Sequence, residues 1–284
     1  MRRRLRLTLL FAFVLSVACC TRALGKVAYN NLLPQIILNR IDEYFDLNST
    51  QEKYLKARLQ VHHAWHRTTQ LKLYGADLKD LRSRLAATLT EADLLWLTDR
   101  LTRHRNAIYA RIIPDLVNVL QTLSDDQLNH FQKKLDKENR ELDEKLARPL
   151  SVRQQEEFQA IVKQIEEWTG SLTKLQKDML RTKYVSIADS AVDWLRYRED
   201  QQGVFVRLLR SKPDHQTLKA DLEGRMIYQE RNVPQRFKVR FQRTLTLLKE
   251  MALTADKTLT PDQRMHALAK MDEYIQLVEE ISPR

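Results

Sequence analysis

The chain has 284 residues and a formal net charge of +11; 30% of its residues are charged and 43% are hydrophobic. Its two cysteines are adjacent, at Cys19 and Cys20, so the remaining chain has no thiol for a disulfide, a cysteine metal site or a nucleophile. It contains only five glycines, and neither a phosphate-binding glycine loop nor a Gly-x-Ser-x-Gly sequence occurs. The composition therefore argues against a nucleotide-binding or disulfide-stabilised protein and favours an all-α fold.

The first nineteen residues have the three parts of a secretory signal. Four arginines in residues 2–6 precede an apolar run over residues 7–17, which is shorter than the roughly 20 residues that span a membrane. Residues 15–19, Leu-Ser-Val-Ala-Cys, resemble the lipobox of bacterial lipoproteins, in which a peptidase cuts before a cysteine that carries lipid. The resemblance implies loss of residues 1–18 and lipidation of Cys19. Cutting before Cys20 and ordinary cleavage without lipid are the alternatives.

The resemblance also implies a location. Asp after the lipidated cysteine retains Gram-negative lipoproteins at the inner membrane, and Cys20 stands there instead. We therefore expect an anchor in the outer membrane, on its periplasmic face. Removing residues 1–18 takes away four arginines and no acid, which lowers the net charge from +11 to +7. A positive charge suits anionic lipid heads, lipopolysaccharide or acidic envelope proteins as partners, and no nucleic acid is expected in this compartment.

Helical spacing of apolar residues predicts an elongated bundle or curved cradle of about eight helices, some of them long. We expect a signal peptide over 1–18, a lipidated tether over 19–30 and a helical domain over 31–284, whose further division near 211–214 stays open. Gly75 is the expected bend of a long helix over 50–87, and Pro114 the expected kink of the next. Predicted helices cover 31–46, 50–87, 89–120, 123–146, 150–170, 172–195, 215–230, 235–255 and the residues after 259.

Several predicted helices begin with the same pattern. The pattern is a leucine followed by a small polar residue, with glutamine three residues after the polar one. It occurs five times, and a sixth copy has Asp93 in place of the glutamine. The copies begin at Leu47, Leu89, Leu123, Leu150, Leu172 and Leu259. Such residues form a capping box, which satisfies free amides at a helix start. Their uneven spacing excludes a solenoid repeat. The pattern resembles the Leu-Thr-x-x-Gln motif of small periplasmic stress chaperones, which are curved helical cradles for unfolded clients; plain helix capping is the alternative.

A second resemblance rests on the front of the chain. Residues 29–32 read Tyr-Asn-Asn-Leu, residues 42–48 read Asp-Glu-Tyr-Phe-Asp-Leu-Asn, Gln51 follows, and residues 65–67 read Trp-His-Arg. These segments resemble a family of proteobacterial all-helical lipoproteins of unknown activity. The resemblance implies the fold and the lipid anchor, and it implies no reaction.

Histidines give the one metal-like pattern. His62 and His66 are four residues apart and so share a helix face, as zinc-binding pairs do. A third ligand would have to come from His104 or His130. The alternative is a half-buried helix face in which the histidines form hydrogen bonds, and we expect no cofactor.

Carboxylates near Tyr44 offer a further alternative. Asp42 and Asp46 are also four residues apart, and a pocket that combined them with His66 would indicate a hydrolase. Pairing with Arg58 or Arg67, or ordering of the junction between two helices, is the simpler role for these acids.

The most basic stretch runs from residue 231 to 243. Its candidate partner-binding residues are Arg236, Lys238, Arg240 and Arg243. The alternative is a solvated face above a core lined by phenylalanine. Together these patterns predict a non-enzymatic, chaperone-like or scaffold protein for unfolded or acidic envelope proteins. A structural adaptor that binds one envelope partner or anionic lipid is the main alternative, a hydrolase is the other, and the oligomeric state stays open.

Overall fold

The structure is a computed structural model that describes residues 26–187, 189–228 and 233–283, with the side chain of Arg236 left out. Over these residues the chain forms ten helices and no strands, so the predicted all-α fold is confirmed. The helices are α1 (a π turn Ala28–Leu32 followed by Leu33–Phe45), α2 (Ser49–Trp65, a π turn His66–Gln70 and Leu71–Leu85), α3 (Glu91–Leu120), α4 (Asp125–Leu146), α5 (Leu150–Thr169), α6 (Lys174–Tyr184), α7 (Ala191–Arg210), α8 (His215–Met226), α9 (Gln235–Lys257) and α10 (Pro261–Ile281). None of these helices has the length and apolarity needed to cross a membrane.

Both long helices continue past the residues at which a bend or kink is expected. α2 passes through Gly75 without a break, and its irregularity is the π turn His66–Gln70, closed by a hydrogen bond from the Leu71 amide to the His66 carbonyl. α3 likewise continues beyond Pro114 to Leu120. α1 is already helical before the expected start at Asn31, and it contains the π turn Ala28–Leu32, in which Tyr29 is buried.

Five of the six predicted capping boxes are present. In each, the side chain of the N-cap residue accepts from the amide three residues on, and the side chain there accepts from the N-cap amide; the N-caps are Asn48, Thr90, Ser124, Thr173 and Thr260. The sixth prediction is wrong, because α5 begins at Leu150 after Pro149 and Ser151 already lies inside the helix. The carbonyl of Pro149 accepts from the amides of Val152 and Arg153, which leaves no cap role for Ser151.

The predicted helix over 172–195 is two helices. α6 ends at Tyr184, and α7 begins at Ala191 and runs through Gly203 to Arg210. β-branched and serine residues at 185–187 are poor helix formers, which favours an end there. Ile187 nevertheless packs from outside the helix against the same core as Tyr184.

Apolar residues gather in several cores. The largest joins α3, α4, α7 and α8 around Ile113, Val117 and Leu128, and it holds residues from both sides of the turn at 211–214. A second joins α5, α6 and α9 around Phe158 and Leu180. Smaller cores join α1 and α2 to α10 and to α3. Each of these cores therefore joins the apolar faces of three or more helices.

Two pairs of capping boxes interlock. Gln51 and Gln127 donate Nε2 hydrogen bonds to each other's Oε1 at 3.2 and 2.7 Å, and Gln176 and Gln263 do the same at 2.8 and 3.1 Å. Each Nε2 also donates to a carbonyl five residues before the partner glutamine, those of Thr122, Asp46, Thr258 and Ser171. We call these the first and second glutamine pairs. Each glutamine pair joins two turns between helices, and both pairs use the same set of hydrogen bonds.

Candidate functional site

Polar aromatic side chains collect where the first turn of α1 crosses the middle of α2. We call this group the histidine–tyrosine cluster: Tyr29 from α1, His63, His66 and Tyr74 from α2, and His104 from α3. The hydroxyl of Tyr29 and Nδ1 of His66 are 2.7 Å apart. The Tyr29 ring also lies 5.0 Å from that of His63. Two π turns, Ala28–Leu32 and His66–Gln70, thus meet through Tyr29 and His66, and π turns occur often at functional sites.

The cluster continues from His66 to an acid on the far side. The ring of Tyr74 packs edge-on against His66 at 5.3 Å and against His104 at 4.5 Å. Nε2 of His104 lies 2.7 Å from Oδ2 of Asp77. The other carboxylate oxygen of Asp77, Oδ1, forms an ion pair with Nε of Arg100 at 3.6 Å. A continuous row of ring and polar contacts therefore links α1 to the Asp77 carboxylate.

Burial sets the protonation states in this row. It lowers the pKa of His66 to about 4, helped by the neighbouring charges of His63 and His104, and burial also lowers the pKa of His63. Burial raises the pKa of Tyr29 and of Tyr74 far above that of a free phenol. The imidazole of His66 is therefore neutral at pH 7, and the tautomer of its ring sets the direction of the hydrogen bond between Nδ1 and the Tyr29 hydroxyl.

Polar atoms in and beside the cluster lack partners among the described residues. They are Nε2 of His63, Oε1 of Gln70 and Oδ1 of Asn30, and Gln70 is only 3% exposed. His63 is held by a hydrogen bond to the backbone of Tyr29. The arrangement can hold or pass a proton, but none of its members is placed as an activated nucleophile.

A separate polar centre forms around Asp115, immediately after Pro114. Oδ1 of Asp115 accepts the Tyr54 hydroxyl at 2.6 Å and faces Nε of Arg58 at 2.9 Å, while Oδ2 lies 2.7 Å from Nε2 of His62. Burial alone would raise the pKa of Asp115, but these three groups together lower it. Burial lowers the pKa of His62 despite the adjacent carboxylate. The centre is a group of hydrogen-bonded and charged side chains that links α2 to α3.

The proposed metal ligands point to different partners. His62 pairs with Asp115, His66 with Tyr29, His104 with Asp77, and His130 with the Glu43 carbonyl at 3.2 Å. No group of three or more His, Cys, Asp or Glu in the described part of the chain is arranged to hold a metal ion. The i, i+4 spacing of His62 and His66 therefore serves two separate hydrogen-bonded sites.

The carboxylates near Tyr44 order a helix junction. Oδ1 of Asp42 accepts the Leu47 amide at 2.8 Å, and Asp46 adopts a left-handed conformation with φ 48° as it ends α1. Glu43 pairs with Arg40 and with Lys134 of α4. Asp42 and Asp46 lie at the end of α1 opposite Tyr29 and His66, about 20 Å away along the helix. The structure therefore does not bring them together with His66 in a pocket.

The basic stretch lies on α9. Arg240 pairs with Asp193 of α7, Arg243 is exposed, and Lys238 is half-buried beside Phe237, which packs on Trp194 at 4.8 Å. Arg231 and the side chain of Arg236 lie outside the described part of the structure, as does the proposed lipidation site Cys19. A groove of about 330 Å³ between α4 and α7 is lined by charges of both signs and carries none of these residues.

Sequence reasoning missed four residues of these sites: Tyr54, Tyr74, Asp77 and Asp115. Asp115 carried one signal, an acid in an otherwise apolar helix segment after a proline. Tyr74 and Asp77 carried none, because only the crossing of α2 and α3 reveals their histidine partner.

These features define an all-α protein with capped helices, two interlocked glutamine pairs and a buried polar cluster. The model of the family of unknown function DUF6279 matches residues 43–235, about two thirds of the chain, and the chain belongs to this family. The match includes the histidines of both polar centres and one glutamine pair, Gln51 and Gln127. No curated protein and no solved structure matches the chain.

Proposed function

We propose that the protein is an outer-membrane lipoprotein, anchored through Cys19, that holds unfolded or acidic envelope proteins without catalysing a reaction. The observation that carries the proposal is an exposed apolar stripe on α9 within the most basic segment of the chain. Phe241, Leu245 and Leu248 follow the i, i+4, i+7 spacing of one helix face, and they are 44%, 38% and 37% exposed. We call them the α9 stripe.

Charge around the α9 stripe supports a client with acidic character. The exposed guanidinium of Arg243 belongs to the same two helical turns, and Lys249 follows Leu248 directly. The sequence holds no acid between residues 231 and 249. An apolar stripe within a basic segment attracts chains that carry both exposed apolar residues and acids, as unfolded acidic proteins do.

The glutamines of the Leu-Thr-x-x-Gln pattern have a structural role in this protein. Gln127 and Gln263 are both 8% exposed, and their amides are engaged within the protein. Their motif therefore builds the helical scaffold, and client contact belongs to another surface. The α9 stripe lies in the part of the molecule that the second glutamine pair fastens, since Gln176 donates to the carbonyl that follows α9 at Thr258.

An aggregation assay tests the proposal. The full mature chain with both cysteines replaced by serine is mixed at equimolar ratio with a reduced, unfolding periplasmic protein, and light scattering is followed. We expect clear suppression by the parent protein and its loss in the triple variant Phe241→Ser, Leu245→Ser and Leu248→Ser.

The matched control removes equally exposed apolar residues elsewhere. Leu73, Leu95 and Leu101 are 50%, 57% and 40% exposed on α2 and α3. Their triple serine variant should suppress aggregation like the parent protein. Absence of suppression by the parent protein, or equal loss in both triple variants, would remove the α9 stripe as a client surface.

Binding of an anionic envelope polymer is the second candidate, and the exposed Arg243 favours it. Arg243→Glu should abolish binding to lipopolysaccharide if charge alone acts, whereas the serine variant of the α9 stripe should retain it. Loss in the serine variant with retention in Arg243→Glu would instead support the client reading.

A further inference from the structure

The first helix has an exposed apolar surface of its own. Val27, Leu32 and Ile36 are 50%, 50% and 41% exposed, whereas Tyr29 and Leu38 of the same helix are buried. Leu32 and Ile36 are one α-helical turn apart. Val27 precedes Leu32 by five residues, and the π turn Ala28–Leu32 brings residues five apart close together. We call Val27, Leu32 and Ile36 the α1 patch.

Charge distinguishes this end of the chain from the rest. The first acidic residue of the whole sequence is Asp42, so the segment from Cys19 to Ile41 contains Arg22, Lys26 and Arg40 and no acid. Elsewhere acids are frequent, with 37 Asp and Glu in the chain. An acid-free helix with an apolar face is the composition of a helix that lies in a membrane interface.

The distance to the proposed anchor limits where the α1 patch can be. Val27 is eight positions after Cys19, and a fully extended chain of eight residue steps spans at most about 28 Å. The first turn of α1 is also fixed to the folded body, because Tyr29 bonds to His66 and Lys26 pairs with Glu280 at 3.9 Å. The α1 patch therefore begins within about 28 Å of Cys19, and it moves together with the folded body.

We propose that the α1 patch contacts the outer membrane's inner leaflet as a second attachment beside the lipid on Cys19, and so fixes the orientation of the helical body. This inference rests on the lipid anchor of the proposed function. The occupant is the lipid bilayer surface. The patch ends where α1 becomes polar, at Asn39 to Glu43, so α1 leaves the interface after about three turns.

Spin labelling of the lipidated protein tests this contact. Cys20→Ser leaves no free thiol once Cys19 carries lipid, and Leu32→Cys or Ile36→Cys then introduces one label site each. The purified lipoprotein is reconstituted into vesicles of phosphatidylethanolamine with a minority of phosphatidylglycerol. Collision of the label with oxygen, which concentrates in lipid, is compared with collision with a water-soluble nickel complex. Leu95→Cys, 57% exposed on α3, is the matched control.

We expect labels at 32 and 36 to be several-fold less accessible to the nickel complex than the label at 95, and more accessible to oxygen. Circular dichroism checks that each variant is folded. Equal nickel accessibility at the three positions in a protein of lipid-shifted mass would overturn this inference alone. An unshifted mass would overturn the lipid anchor of the proposed function, and the α1 patch inference with it.

Discussion

Gln51 and Gln127 each cap the start of one helix and donate a hydrogen bond to the other, although 76 residues separate them. The side-chain amide of Gln127 thus makes four hydrogen bonds: its oxygen accepts from the Ser124 amide and from Gln51 Nε2, and its nitrogen donates to the Asp46 carbonyl and to Gln51 Oε1. Gln176 and Gln263 repeat this arrangement in the second half of the chain. The motif therefore joins helix starts that are far apart in the sequence.

Removing one glutamine of a pair should destabilise the protein. Gln127→Ala leaves the Asp46 carbonyl, the Ser124 amide and both polar atoms of Gln51 without this partner, and we expect a loss of about 2–3 kcal/mol in the free energy of unfolding. A double-mutant cycle with Gln51→Ala, measured by urea unfolding, should give a coupling energy of about 1 kcal/mol or more. Gln154→Ala, from the motif copy that forms no capping box, should cost less than about 0.5 kcal/mol.

The caps themselves can be tested in the same way. Ser124→Ala and Thr173→Ala each remove a side chain that accepts from a helix-start amide, and each should lower the free energy of unfolding by about 1 kcal/mol. Ser151→Ala is the matched control, because Ser151 lies inside α5 and should tolerate alanine with little change. A cost at Ser151 equal to that at Ser124 would contradict the position of the α5 start.

Asp115 should be more sensitive to substitution than an exposed acid. Asp115→Asn removes the carboxylate that Tyr54, Arg58 and His62 share between α2 and α3, and we expect a loss of about 1–3 kcal/mol in the free energy of unfolding. The comparison is Asp272→Asn, which removes an exposed ion pair with Arg82 and should cost at most about 1 kcal/mol. Thermal unfolding of both variants, followed by circular dichroism, measures the difference.

His66 should make stability fall in mild acid. A histidine in the unfolded chain binds its proton near pH 6.5, whereas the buried His66 does so only near pH 4. Between these values the unfolded state binds more protons, so the free energy of unfolding should fall by about 3 kcal/mol as the pH drops from 6.5 to 4. His62 and His63, whose pKa values burial also lowers, should add a loss of the same sign.

Urea unfolding at several pH values isolates the share of His66. His66→Gln should flatten the dependence of stability on pH over this range. His215→Gln alters an exposed histidine at the start of α8 and should leave the slope unchanged. An unaltered slope in His66→Gln would show that His66 is not the group that resists protonation.

The lipid anchor is testable without knowledge of any client. Expression of the full chain in a Gram-negative host should give a lipid-shifted intact mass in the outer-membrane fraction, because Cys19 follows a small residue and precedes no aspartate. Cys19→Ser should lose both the mass shift and the membrane location, whereas Cys20→Ser should keep them. A soluble product of unshifted mass from the parent chain would contradict the anchor.

Local sequence determined the helices well where caps are strong. Ser124 with Gln127 and Thr260 with Gln263 mark helix starts because a capping box involves only residues three apart. The same reasoning failed at Ser151, where Pro149 moves the start by two residues, and between Tyr184 and Ala191, where helical spacing continues through a segment that is not helical. Apolar periodicity indicates which residues face a core. Ile187 packs against the core of α5, α6 and α9 although it lies outside the helix.

Pairing across the chain was decided by the tertiary structure alone. The sequence shows that Gln51 and Gln127 belong to one pattern, but neither their mutual hydrogen bonds nor the second pair follows from spacing, since helix packing places corners 76 and 87 residues apart in contact. The i, i+4 relation of His62 and His66 likewise suggested one shared site. The crossing of α1 and α3 over α2 gave each its own partner, Tyr29 or Asp115, because a side chain's partners depend on which helices pack beside it.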